Sequence, residues 1–188
     1  ESISGLCPRS ERVVYMKALA LSRGFAAWDR FDHVEALRLL QPFAGEYKDY
    51  MSVVALLASR DYSDLREAAR LLDMKLNMLR KGECGLYDDA VARGYRLVEW
   101  TAQWLLRRDV GIDSSNVPND RIPSQVRIFA DDKGVFKAGL KTSWELLEVL
   151  GSPATKDFIS QNKKSMLQVM TTRNSSILAH GFEPIEEH

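Results

Sequence analysis

Arg173, Asn174 and His180 lie within one run, TRNSSILAHG, from Thr172 to Gly181. Arg173 and His180 are seven positions apart. On an α-helix that separation returns to within about 20° of the starting direction after about 10.5 Å of rise, so both would share one face. Ile177 would sit between them and Leu178 would reach the core. The run reads as a short terminal helix. Thr171 or Thr172 would cap it, Arg173 and Asn174 would stand in its first turn, and Gly181 would close it. Free backbone N–H groups and the helix dipole in such a first turn favour an anion such as phosphate.

These side chains could serve the scission of an RNA phosphodiester without metal. A 2′-hydroxyl must lose a proton, charge grows on the phosphoryl oxygens, and the leaving 5′-oxygen must gain a proton. An imidazole titrates near working pH and can serve as acid or base. A guanidinium stays charged and presents a planar fork to phosphate. One Arg and one His two turns apart make a sparse site, and a twofold pair of the helix would complete a composite cleft. A homodimer is therefore expected. Taken alone, an Arg and a His at this spacing also occur on many surface helices, so a structural reading stays open.

Other chemistries lack their parts. His33, His180 and His188 are the only histidines, and no two have metal-ligand spacing. Glycine-rich phosphate loops and a G-x-S-x-G elbow are missing as well. Cys7 and Cys84 have no C-x-x-C spacing, which argues against a disulfide scaffold or a structural zinc site. Neither metal nor cofactor is expected, and a reducing cytoplasm is the expected location.

The elements that must position the run are helical. Apolar residues recur at helical spacing over 11–31, and Trp28 continues the stripe. Asp32 is set to cap a second helix, His33 to Leu40, with Glu35 placed for a capping box. Pro42 would open a third helix containing Tyr47, Tyr50, Met51, Val54 and Leu57. Ser63 caps a fourth, which Gly82 and Gly85 end. The fifth, about Tyr87 to Arg108, is apolar on several sides and should be central. Over 111–139 the pattern lapses around Pro118, Pro123 and Gly134, predicting an irregular segment with at most a short element near Val126–Ala130. A loop of that length is commonly functional or mobile. Helix resumes over Leu140–Leu150 and stops at Gly151, after which Ser152–Pro153 starts the next. Met166, Leu167, Val169 and Met170 would lead into the final element. The fold class is all-α, a helical bundle occupying 1–188 as one domain with the 111–139 insertion.

Size and charge bound the function. The chain has 188 residues, 26 basic and 26 acidic, with a formal net charge of zero. Zero net charge counts against a domain that binds by blanket phosphate neutralisation, though not against an enzyme holding a short RNA segment in a local cleft. No apolar stretch approaches the ~18–20 residues of a membrane span, and no leader pattern is visible at the N-terminus. With Glu1 rather than Met in first place, the chain reads as a piece of a larger protein.

The run RNSSILAHGFEP resembles the signature of HEPN domains: Arg, four to six residues of which the first is polar, then His. Asn174 is that polar residue here and the gap is six. The wider chain is similar to the C-terminal half of CRISPR-associated CARF–HEPN effectors of type III systems. The likeness is carried by FAAWDRFDHVEALRLL, ARGYRLVEWTAQ, KAGLKTSWELLEVLG and the final run. It implies an HEPN-like bundle and a metal-independent endoribonuclease for single-stranded RNA, working as a homodimer in antiviral defence. It also implies a CARF domain, outside this chain, that binds cyclic oligoadenylate and switches the nuclease on. By the same resemblance Arg173 steadies the phosphate, His180 transfers a proton or orients it, and Asn174 supports the site. The competing reading is a non-catalytic helical dimerisation module, the partner of a toxin–antitoxin type system.

Other residues have a bland reading that comes first. The row Arg96, Glu99, Gln103 and Arg107 is a solvated face before it is a cleft lining. Trp28, Trp100, Trp104 and Trp144, capable of stacking on bases, belong to apolar rows and read as core. Ser175 and Ser176 read as capping or packing residues, Lys163–Lys164 as a surface pair, and His33 as a residue at a helix start.

Overall fold

Helical spacing of apolar residues recurs along the chain, and the computed structural model, described over residues 9–175, answers it with seven α-helices and no strand among those residues. They are α1 (Arg9–Asp29), α2 (His33–Leu40), α3 (Lys48–Ala58), α4 (Asp64–Glu83), α5 (Tyr87–Leu105), α6 (Leu140–Leu150) and α7 (Pro153–Ser175). The fold is all-α and HEPN-like. The chain divides into two units, Glu1–Arg70 and Leu71–His188.

In the first unit α2 packs against both α1 and α3. Phe31 ends α1 in the left-handed region, φ 63°. Its N–H donates to Trp28 O and the next N–H, of Asp32, donates to Ala27 O, which together form a Schellman closure. Asp32 then starts α2, its Oδ1 accepting from Glu35 N at 3.1 Å. The expected cap is present, but not the reciprocal box: Glu35 binds the Arg38 guanidinium, while the Asp32 N–H is already spent on Ala27. Pro42 opens only a 3-10 turn, Gln41–Phe43, and the helix expected there starts later, at Lys48. Between them, the N–H groups of Glu46 and Tyr47 both bond back to Phe43 O, and this closes the turn.

Gly24 lets α1 and α2 meet. A Cβ there would come within 2.6 Å of Leu40 Cδ2 and 2.7 Å of Leu40 Cγ. Leu40 is 2% exposed and has little room to withdraw. Gly24→Ala is therefore expected to lower stability by about 1–3 kcal/mol through overpacking, outweighing the ~1 kcal/mol that alanine adds to helix propensity. A melt followed by circular dichroism checks this, with an unchanged or raised Tm as the opposing result.

The second unit contains the helix that leads into the RNSSILAHG run. Within it α5 packs against both α6 and α7. Its core joins Ala102, Leu105 and Leu106 to Leu140, Trp144, Leu146, Leu147 and Ile159. Three residues of the irregular segment, Ile112, Val117 and Val126, complete that core. Val117 N–H donates to Phe136 O and Ala138 N–H to Ser114 O, both at 2.8 Å, so the segment is pinned to itself as well as to the helices. Its regular elements are a 3-10 turn at Asn119–Arg121 and single bridges at Asp113–Asn116 and Ala130–Phe136. No helix or strand forms over Val126–Ala130.

A π-helical turn, Leu106–Val110, follows α5 and ends at Gly111, φ 66°. It aims Asp109 at the start of α7. Ser152 Oγ donates to Asp109 Oδ2 at 2.8 Å, the Thr155 hydroxyl donates to the same oxygen, and Ser152 Oγ accepts from Thr155 N. The expected Ser152 cap is thus part of a three-residue clamp. The Thr155 hydroxyl foremost, and then that of Ser152, hold the Asp109 carboxyl below the usual range against the opposing push of burial. A depressed folded-state pKa gives stability that is present above the unfolded value, ~3.9, and is lost as pH falls through the lower folded value. Asp109→Ala should cost about 1–2 kcal/mol at pH 7, and the gap from the parent should close in acid. Urea titrations at pH 7 and pH 3 measure it; a gap that persists unchanged in acid would exclude the ionised carboxylate as its source.

Candidate active site

Two helices of the second unit position the arginine of the RNSSILAHG run. Gly94 on α5 is buried, and a Cβ there would meet Met78 Sδ at 3.1 Å and Val169 Cγ1 at 3.5 Å. Met78 of α4 thus covers α5 closely at that point, and Val169 of α7 lies at ordinary contact distance. One residue beyond Gly94 is Tyr95, and one helical turn beyond Val169 is Arg173. Their side chains meet: Arg173 Cζ stands 4.8 Å from the centroid of the Tyr95 ring. The Arg173 side chain is half-buried, and its Nη1 donates to Asn174 Oδ1 at 3.3 Å, with Asn174 exposed.

This placement corrects one expectation. Arg173 and Asn174 do not stand in the first turn of a short helix. They belong to the last described turn of α7, a helix of 23 residues. Thr171 lies inside that helix, and its hydroxyl donates to Leu167 O at 2.9 Å, the bond a threonine makes in a helix interior. From Pro153 to Ser175 there is no later Pro and no Gly to stop the helix. The argument from free N–H groups and a positive helix end therefore falls. What the site offers a phosphate at this point is the guanidinium itself. His180, Ser176 and Gly181 lie outside the described residues, as does His188, and so does the side chain of Ser175.

The remaining candidates separate clearly. Arg96 lies over the Trp100 ring, 5.1 Å from its centroid, and also pairs with Glu99. Arg107 Nε donates to Gln103 O. Arg96 and Glu99 thus pair within α5, as on a solvated face, while the charge of Arg107 acts on the Asp113 carboxyl. Trp144 is core, 7% exposed. Trp104 packs against the same core with the Arg108 guanidinium over its ring. In the first unit Trp28 stacks on Phe25 and meets Tyr50 edge-on. Lys163 is engaged with Glu148 at 2.6 Å, whereas Lys164 is exposed. His33 begins α2 and meets Phe31 edge-on. Cys84 is an exposed free thiol.

Among the described residues no group of His, Cys, Asp and Glu could hold a metal ion, and no helix is long and apolar enough to cross a membrane. Reading the sequence alone missed Tyr95. Its only signal was the Gly94–Tyr95 pair inside an otherwise bulky apolar row.

A family model described as the Csm6 HEPN domain matches residues 61–188. No curated protein and no solved structure matches the chain.

Proposed function

Because the chain belongs to the Csm6 HEPN domain family, we propose that it is a metal-independent endoribonuclease acting on single-stranded RNA in type III CRISPR antiviral defence. The observation that carries this reading is the span of the family match, which takes in the whole of Arg173-Asn174-x5-His180. The half-buried Arg173, set against Tyr95 and next to Asn174, supports it.

In this reading the substrate's own 2′-hydroxyl attacks the adjacent phosphorus. The 2′-oxygen–phosphorus bond forms, the bond to the 5′-oxygen breaks, and the products are a 2′,3′-cyclic phosphate and a 5′-hydroxyl end. Arg173 meets the negative charge that grows on the phosphoryl oxygens. His180 moves a proton at the attacking or leaving oxygen, and Asn174 supports the guanidinium. Two copies of the chain pair to form one cleft, in the cytoplasm. A CARF domain outside this chain binds cyclic oligoadenylate and controls the cleft.

The deciding experiment incubates end-labelled single-stranded RNA with the chain in EDTA, beside Arg173→Ala and His180→Ala. Cleavage by the parent that both substitutions abolish supports the proposal. Cleavage that survives both would remove this site. A dimer that carries the CARF domain, is given cyclic oligoadenylate and still leaves RNA intact would point instead to a helical interaction module.

A further inference from the structure

The geometry points to Tyr95 as a positioning residue for Arg173, a role that rests on the ribonuclease reading above. A long arginine side chain on a helix surface samples many rotamers, and a freely swinging guanidinium must be ordered at each turnover. Here three features of the second unit remove that freedom. At Gly94, buried beneath Met78 of α4, α5 also meets Val169 of α7. That contact sets the register that places Arg173 one turn past Val169, opposite the residue that follows Gly94. The Tyr95 ring then lies under the guanidinium at 4.8 Å, a cation–π distance.

A second constraint fixes α5 itself. Arg93 Nε donates to Asn77 Oδ1 on α4, and Asn77 is fully buried. Arg93 also reaches Asp89 O at 3.2 Å and pairs with the Asp89 carboxylate at 3.4 Å. Tyr95 is therefore carried on a helix held to α4 through Arg93 and Gly94 and packed against α7. The ring holds the guanidinium through its central carbon, and the N–H groups are the part that recognises phosphate. Tyr95 touches no reacting atom. It acts through Arg173, and the shape and π-face of its ring matter more than its hydroxyl.

The test compares Tyr95→Leu and Tyr95→Phe in the full chain, alone and combined with Arg173→Ala. The readouts are steady-state RNA cleavage and NMR of the Arg173 side chain. In the parent, the Arg173 δ-methylene and Nε–H resonances should be shifted upfield by the ring current. Tyr95→Leu should return them toward ordinary arginine values and Tyr95→Phe should not. Tyr95→Leu is expected to lower kcat about 10-fold, in line with a cation–π contact of this kind, with KM nearly unchanged. Tyr95→Phe should stay within about 2-fold of the parent in both. In an Arg173→Ala background the leucine exchange should cause no further loss, because its effect passes through the missing guanidinium.

An Arg173 signal without ring-current shift in the parent overturns the proposal even if the leucine variant fails to fold. So does a leucine variant that keeps full kcat, or one whose loss is the same with and without Arg173. If Arg173→Ala cleaves like the parent, the ribonuclease site falls and this role falls with it. Loss of cleavage in Arg173→Ala alongside full activity in Tyr95→Leu leaves that reading standing and removes only Tyr95.

Discussion

Replacing His180 with alanine is expected to lower RNA cleavage about 10²–10⁴-fold, the span that one positioned acid–base group supplies. Replacing Arg173 is expected to lower it about 10²–10³-fold, as loss of a single donor aimed at developing charge does. The two losses should not multiply. Groups that act on one transition state are strongly non-additive, so the double variant should sit close to the more damaged single one. The loss should also differ in kind from unfolding. Arg173 stands in the last described turn of α7, and its neighbour Asn174 is exposed. Neither Arg173 nor Asn174 belongs to the core that Ile159, Trp144 and Leu147 share. Arg173→Ala should therefore keep a cooperative melt near that of the parent. Because the proposed cleft needs two copies of the chain, specific activity should fall when the protein is diluted below its dimer dissociation constant. Activity that stays constant over such a dilution would place a complete site in a single chain.

How far the sequence announces this arrangement depends on the range of the interaction concerned. Local signals are legible. Asp32 caps α2, Ser63 Oγ accepts from Arg66 N at the start of α4, and Ser152 caps α7, all where side-chain type and spacing predict. The all-α class follows from periodicity alone. The misreadings share a cause. Thr171–Thr172 beside Arg173 looks like a helix start, because threonine is at home both in a cap and, bonded to the carbonyl four residues back, in a helix interior. Only the continuity of α7 decides between them. Pro42 is compatible with the first turn of an α-helix and of a 3-10 turn alike. Asp109 and Tyr95 are a different case. Asp109 meets residues 43 and 46 positions away, and Tyr95 meets Arg173 from another helix. Nothing in its own neighbourhood marks the role of Asp109, and only the adjoining Gly94 marks that of Tyr95.

The irregular segment carries the second large effect, and it is one of stability. Ile112 is fully buried and Val117 is 1% exposed, although neither belongs to a helix or a strand. Gly111 is what admits them: in the left-handed region it turns the chain sharply out of α5, and Ile112 N–H then donates to Leu106 O at 3.0 Å. The side chain that follows is directed inward, into the cluster formed by Leu105, Leu106 and Leu146. Ile112→Ala removes three carbons from a site closed on all sides, and the helices around it cannot collapse without moving α5 or α6. It is expected to lower stability by about 2–5 kcal/mol, read as a fall in the urea midpoint with an unchanged slope. Phe129, in the same segment, gives the control. It is 84% exposed, and Phe129→Ser should change stability by no more than about 0.5 kcal/mol. A sequence reading would rank the larger, aromatic residue as the greater loss, whereas burial reverses the order. If the two substitutions were equally mild, the segment would be a loop lying over the core rather than a part of it. The support it gives to the α5 surface that holds Tyr95 would then have to come from the neighbouring helices, α4, α6 and α7.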